Sequence, residues 1–288
     1  MKLISRAKIN LTLDVSRLRP DGYHDIDSVA VVIDLGDELE VWRADGGIDV
    51  RVESGDAPAG VDNLVYRAAE VFFRKTAIQG GAHFVLRKQI PAQAGLGGGS
   101  ANAAAAIAAL NRLYGRGLSR DELCAVAAKV GSDAALFIIG GTVRARGRGE
   151  LVEPLPDAPE LHLVVVKPEV GVSTAWAYAE IDKRDRVCGR ASDRAEHAVK
   201  SGDRRALVEA LSNDFDAIVS AAIPEIAQAR QALLDAGADA AILAGSGSAV
   251  FGVFESKDSA SRAAKELRAH LPRVLPCRTL TRAESALA

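Results

Sequence analysis

Apolar and polar residues alternate from the start of the chain. Ile9, Leu11 and Leu13 are separated by Asn10, Thr12 and Asp14, the period of two that predicts a half-buried strand. After a Pro20-Asp21-Gly22 loop, apolar runs predict strands at 26–35 and 38–42. Asp45-Gly46 then predicts a hairpin-type turn into a strand at 48–52. Consecutive strands with short turns imply antiparallel pairing rather than parallel strands joined by a helix. The period then changes. Val65, Ala68, Ala69 and Phe72 recur at helical spacing behind the caps Asp62-Asn63, predicting a helix through Lys75. Phe84, Leu86 and Ile90 alternate again up to Pro91. A glycine-rich turn follows, then a helix over 100–113 that Gly115 can end. Ser119-Arg120-Asp121-Glu122 is a capping box for a helix that Gly131 stops. A strand at 142–146 runs into a Gly147-Arg148-Gly149 turn.

Pro154, Pro156 and Pro159 interrupt the pattern, which predicts two domains, 1–155 and 156–288. The second half alternates strands (161–166, 239–243, 249–254, 274–280) with helices (174–181, 191–200, 203–211, 224–235, 257–269), and Pro224 and Gly237 bound the 224–235 helix. An α+β fold class follows. With 288 residues, 48% hydrophobic and 26% charged, the chain is close to globular averages, and disorder, collagen and coiled coil are excluded as its dominant state.

A net charge of −2 gives no overall attraction to nucleic acid or an anionic membrane. The run Lys183-Arg184-Asp185-Arg186 is interrupted by acid and reads as surface. The start has no apolar signal-peptide core, and no stretch approaches the ~18 apolar residues of a membrane span. A soluble, cytoplasmic protein is expected, either a monomer or a homodimer. The three cysteines, Cys124, Cys188 and Cys277, are widely spaced and suit a reducing compartment. The five histidines are scattered without a metal-binding spacing, so metal ligands are unknown.

The chemistry concentrates in Pro91-Ala92-Gln93-Ala94-Gly95-Leu96-Gly97-Gly98-Gly99-Ser100, between a predicted strand and a predicted helix. Glycines let backbone N–H groups approach an oxyanion, and the helix N-terminus adds about half a positive charge. Phosphate is the natural guest; a turn without a ligand is the plain alternative. No Lys follows the glycines as a P-loop requires. The spacing Gly95, Gly97, Ser100 also breaks the dinucleotide fingerprint.

This loop with Asn102 resembles the ATP-binding loop of the GHMP kinase superfamily. Ala7-Lys8-Ile9-Asn10-Leu11 resembles an N-terminal strand of that superfamily, and Asp21-Gly22-Tyr23-His24 with Asp34-Leu35-Gly36-Asp37 resembles a substrate loop and the strand after it. Gly131-Ser132-Asp133-Ala134-Ala135-Leu136-Phe137 and Gly245-Ser246-Gly247-Ser248 resemble the second and third superfamily motifs. The similarity runs in order from residue 5 to about 255 and is strongest to members that phosphorylate a cytidine diphosphate-linked methylerythritol. Homoserine- or mevalonate-type kinases, and a non-catalytic ligand sensor, are the alternatives. Ala101, Ala135 and Ala244 stand where the family usually has Ser, Pro, and Thr or Ser.

The resemblance implies a two-domain GHMP kinase fold, with an N-terminal domain like ribosomal protein S5 domain 2 and a ferredoxin-like C-terminal domain. It further implies ATP and Mg²⁺ as cofactors and a small-molecule substrate. Lys8 and Asp133 would be catalytic, although periodicity alone makes Lys8 a solvated strand residue and Asp133 a helix cap. Residues 91–100 would hold the ATP phosphates, and Asn63, otherwise an N-cap, would contact adenine. Asn10, Tyr23, His24, Thr174 and Tyr178 would bind the substrate, with Trp176 competing with Tyr178 for the stacking role.

Overall fold

The computed structural model describes residues 1–184 and 189–287; Cys188 and the Asp185-Arg186 part of the basic run lie outside them. In the first half the elements are β1 (Lys2–Asn10), β2 (Thr12–Leu18), β3 (His24–Ala44), β4 (Ile48–Ser54), α1 (Leu64–Thr76), β5 (Gly81–Arg87), α2 (Gly98–Leu113), α3 (Arg120–Ala127), α4 (Ala134–Ile139), β6 (Thr142–Gly147) and β7 (Leu151–Pro154). The second half contains β8 (His162–Val166), α5 (Thr174–Ile181), α6 (Ala191–Ser201), α7 (Arg204–Ala210), β9 (Ser212–Asn213), α8 (Asp216–Ala222), α9 (Pro224–Asp235), β10 (Ala240–Leu243), β11 (Val250–Phe254), α10 (Lys257–Leu267), β12 (Val274–Arg278) and α11 (Arg282–Ser285).

The strands expected at 26–35 and 38–42 are one element, the 21-residue β3. Leu35-Gly36-Asp37 looks like a turn in the sequence, but Gly36 serves close strand approach. A Cβ there would lie 2.7 Å from Ile4 Cγ2 on β1. β3 pairs antiparallel with β1, β2, β5 and β6 along its length and organises the first sheet. A second expectation also fails. β4 does not fold back on β3; β5 lies between them and pairs with β4 in parallel, with α1 as the crossover. Gly81 permits this insertion, since a Cβ there would sit 1.9 Å from the Gly47 carbonyl oxygen.

α1 is capped as expected: Asn63 Oδ1 accepts from the Val65 N–H at 2.9 Å. The Ser119–Glu122 capping box on α3 is present too. α2 starts at Gly98, two residues before the expected position, and buries every residue from Ala101 to Leu110. An apolar helix of this kind belongs inside the protein, and its alanines let it pack against α1 and β3. The short elements β7, β9, α8 and α11 carry too little periodicity to have been predicted.

In the second half β10-β11-β8-β12 form an antiparallel four-stranded sheet. In chain order that is second-third-first-fourth, the ferredoxin-like arrangement. Thus the chain has the two-domain α+β architecture. The halves are joined beyond the 154–161 segment. β9 pairs in parallel with β2, Thr279 bridges to Ile33, and the Leu280 N–H reaches the Val32 carbonyl at 2.8 Å. One core cluster runs through Ile9 and Val31 of the first sheet and Leu163 and Phe251 of the second. Cys124 and Cys277 are free thiols. Among the described residues, no helix is long and apolar enough to cross a membrane.

Candidate active site

The alternation at the start of the chain suggests that Lys8 and Asn10 face solvent. Instead both are buried, as is every residue from Ala7 to Val15. β1 and β2 are covered on both faces: Ile9 and Leu11 pack toward the second sheet, and Lys8, on the opposite face, points toward the glycine loop and Asp133. Burying polar groups is tolerated only when they are hydrogen-bonded, and these are. Lys8 Nζ donates to Asn10 Oδ1 at 2.7 Å, and Asn10 Nδ2 donates to Ser28 Oγ at 2.8 Å.

Lys8 Nζ also lies 3.5 Å from Asp133 Oδ2. Asp133 occupies the N-cap position of α4, yet its side chain makes no capping bond. The side chain is 40% exposed, so the carboxylate is open to a ligand. Its cap role fails on geometry.

The glycine loop crosses directly above this pair. The Leu96 carbonyl accepts from the Lys8 N–H at 3.0 Å. Gly97 holds a left-handed φ of +71°, and a Cβ there would lie 2.8 Å from Phe137 and 3.2 Å from Lys8 Cε. Gly97 is also the N-cap of α2 without a side-chain cap. The N–H groups of Gly98, Gly99 and Ser100 have no acceptor among the described residues, which leaves them to an incoming anion. The other end of the loop leans on the second domain. Gly95 has φ +76°, and a Cβ there would lie 1.9 Å from the Ala244 carbonyl oxygen. Ser248 and Ala249 N–H groups donate to the Gln93 and Ala94 carbonyls at 3.2 and 3.3 Å. The first and third glycine motifs are therefore built against each other.

A cleft of about 430 Å³ opens on the loop, walled by Pro91 to Ser100, Asn63, Leu64 and Lys88. The Asn63 amide is committed to its cap and to the Pro58 carbonyl at 2.7 Å. Sequence reasoning missed the cleft floor. Asp37, fully buried, is held by Lys88 Nζ, by Asn102 Nδ2 at 2.8 Å, and by the Gln89 and Ile90 N–H groups at 2.7 and 2.8 Å. Asp37 thus ties the middle of β3 to the start of the loop. No local pattern announces this, because the partners are 51 to 65 residues apart.

On the other side of Asp133 is a second cavity, of about 970 Å³, which brings together Tyr23, His24, Thr174 and Tyr178. His24 Nε2 lies 2.8 Å from Asp182 Oδ1, and its ring packs on Tyr178 with centroids 4.8 Å apart. Tyr178 is braced edge-on by Phe215 at 4.9 Å. Burial raises the Tyr178 hydroxyl pKa, and the Asp133 charge pushes it in the same direction. Trp176 packs into the second-domain core and does not line the cavity. Tyr23 is exposed and carries the Arg148 guanidinium over its ring at 4.7 Å. Thr174 Oγ1 and Ser246 Oγ, 2.9 Å apart, link α5 to the third glycine motif.

Models of two family domains match the chain: the GHMP kinases N terminal domain over residues 63–141 and the GHMP kinases C terminal domain over 195–273. The chain belongs to the GHMP kinase family. It is 43% identical over 277 residues to the 4-diphosphocytidyl-2-C-methyl-D-erythritol kinase of Pelotomaculum thermopropionicum, covering 96% of each chain. The enzyme of the same name from Desulfitobacterium hafniense is 40% identical, over 92% of this chain and 90% of the relative. A crystal structure of 4-(cytidine 5'-diphospho)-2C-methyl-D-erythritol kinase superposes with a TM-score of 0.83 at 32% identity, over 97% of this chain and 99% of that one. This GHMP family member is accordingly a kinase.

Proposed function

We propose that this GHMP kinase transfers the γ-phosphoryl group of ATP to the 2-hydroxyl of 4-diphosphocytidyl-2-C-methyl-D-erythritol, a step of non-mevalonate isoprenoid precursor biosynthesis. The observation that carries the reading is the position of the Lys8–Asp133 pair between a backbone-lined anion cleft and an aromatic cavity. ATP phosphates would rest on the loop N–H groups from Gly95 to Ser100, with adenine toward Asn63. Tyr23 and Tyr178 would flank cytosine, His24 would hydrogen-bond its edge, and Asn10 and Thr174 would contact the substrate nearer the reacting hydroxyl. Asp133 would accept or orient the hydroxyl proton, and Lys8 would stabilise both the Asp133 carboxylate and the migrating phosphoryl. Positioning and charge neutralisation supply most of the catalysis in such transfers.

Charge favours this substrate over homoserine or mevalonate. Among the described residues Arg67, Lys129 and Arg148 line the second cavity without an ion-pair partner, and the one acid in that lining, Asp182, is taken by His24. Such a wall suits a diphosphate.

Mg²⁺ belongs to the same proposal. Among the described residues no three His, Cys, Asp or Glu side chains could hold a metal together. Mg²⁺ needs only one or two protein oxygens when phosphates hold it, and Asp133 and Ser100 are the candidates. When bound it would neutralise charge on the ATP phosphates. We take 1–155 and 156–288 as the two domains, and the cytoplasm, which suits the free thiols, as the site of action. The decisive test is a phosphoryl-transfer assay with ATP against the cytidine substrate, homoserine and mevalonate. Turnover of the cytidine compound alone is expected; preference for either other acceptor would sink the reading.

A further inference from the structure

Asp182 is not part of any motif singled out in the sequence, yet it is the hydrogen-bond partner of the His24 ring. The His24 side chain is only 6% exposed. An ionised carboxylate can only accept a hydrogen bond, so the 2.8 Å contact between Asp182 Oδ1 and His24 Nε2 requires the proton on Nε2. In a neutral imidazole the other nitrogen is then an acceptor. Nδ1 has no partner among the described residues, and the ring lines the cavity while stacking on Tyr178.

We propose that Asp182 is a positioning residue that fixes the His24 tautomer, so that the cavity selects a pyrimidine with an amine at position 4 over one with a carbonyl there. The proposal rests on the cytidine reading of this cavity. Facing the Nδ1 lone pair, a 4-amino group donates a hydrogen bond. A 4-carbonyl opposes it with a second lone pair and leaves a buried acceptor unsatisfied. Asp182 bonds His24 and lines the aromatic cavity but not the glycine-loop cleft, so its removal should act on base choice and not on the chemical step.

Two measurements test this separately. Nitrogen-15 NMR of the His24 ring in the free protein should show Nδ1 unprotonated and Nε2 protonated, with the preference lost in Asp182→Ala. A proton on Nδ1 in the wild type, in either the other tautomer or the imidazolium, overturns the proposal whatever the substrate is. Steady-state kinetics with cytidine- and uridine-diphosphate-linked methylerythritol should show the wild-type preference for cytidine falling about tenfold or more in Asp182→Ala, the order of one lost buried hydrogen bond. Asp182→Asn, whose amide can accept or donate, should fall in between, and kcat and the KM for ATP should stay near wild type. An unchanged base preference in Asp182→Ala, or a loss confined to kcat, overturns the positioning role. Turnover of neither nucleotide by the wild type overturns the proposed function and the base selection together, while the NMR result still decides the tautomer.

Discussion

The two cavities beside Asp133 are built by opposite means. The glycine-loop cleft presents mainly backbone from one continuous segment, residues 91–100, over a floor of buried, mutually bonded polar side chains. The aromatic cavity presents side chains from distant segments, among them Tyr23, Arg67, Ser132, Arg148 and Tyr178. A backbone site recognises what every nucleoside triphosphate shares, and it fails when a Cβ is added or the floor is broken. A side-chain site recognises one molecule, and it fails residue by residue. Substitutions should therefore separate the two sides by kinetic signature, with Asp133 standing between them.

The largest effect is expected at that intervening position. Asp133→Asn should fold and bind both substrates, yet lose about 10²–10⁴-fold in kcat, the range for a lost proton-transfer group. Activity within a few-fold of wild type would remove Asp133 from the chemistry.

Next comes the floor. Lys88→Met leaves Asp37 buried without its cation, a change that typically destabilises by about 3–5 kcal/mol. Urea unfolding should show that loss, and the double variant Asp37→Asn with Lys88→Met should recover much of it. A single variant as stable as wild type would mean that the backbone N–H groups of Gln89 and Ile90 suffice.

Gly97→Ala follows. Its Cβ would press on Phe137 and on the Lys8 stem, so the damage should reach the catalytic lysine as well as the nucleotide. A displacement of about 1 Å can lower the rate by about 10²-fold, and kcat should fall along with ATP affinity. If only the KM for ATP moves, the contact with Lys8 is immaterial.

The smallest effects belong to the aromatic side. Tyr23→Ala and His24→Ala should each raise the KM for the cytidine substrate about tenfold or more, in keeping with roughly 1–3 kcal/mol per buried interaction. The KM for ATP should barely move. Equal weakening of both substrates would erase the distinction between the two sides.

What the sequence disclosed follows the same division. The glycine loop, the Asn63 cap, the Ser119 box and most second-half elements are local, so period and cap chemistry reached them. Lys8 and Asn10 were legible only through family resemblance, because alternation cannot distinguish a solvated strand face from one covered by a loop that arrives some ninety residues later in the chain. β3 was divided because Gly36 imitates a turn, and the parallel β4–β5 pair was missed because only the return of β5 puts it between its neighbours. Asp37–Lys88 and His24–Asp182 join residues 51 and 158 apart, and no window along the chain contains both partners.

The late segments that lie on the first sheet also set an order of events during synthesis. Ser285 Oγ takes the Gly141 N–H at 2.7 Å, and Arg282 donates to the Thr142 and Leu155 carbonyls at 2.9 and 2.8 Å. A nascent chain ending near residue 155 still lacks these partners, and the edge of β2 waits for Ser212 and Asn213. While the ribosome makes the second half, the first is an unfinished sheet with open hydrogen-bonding edges, the kind of surface that chaperones cover.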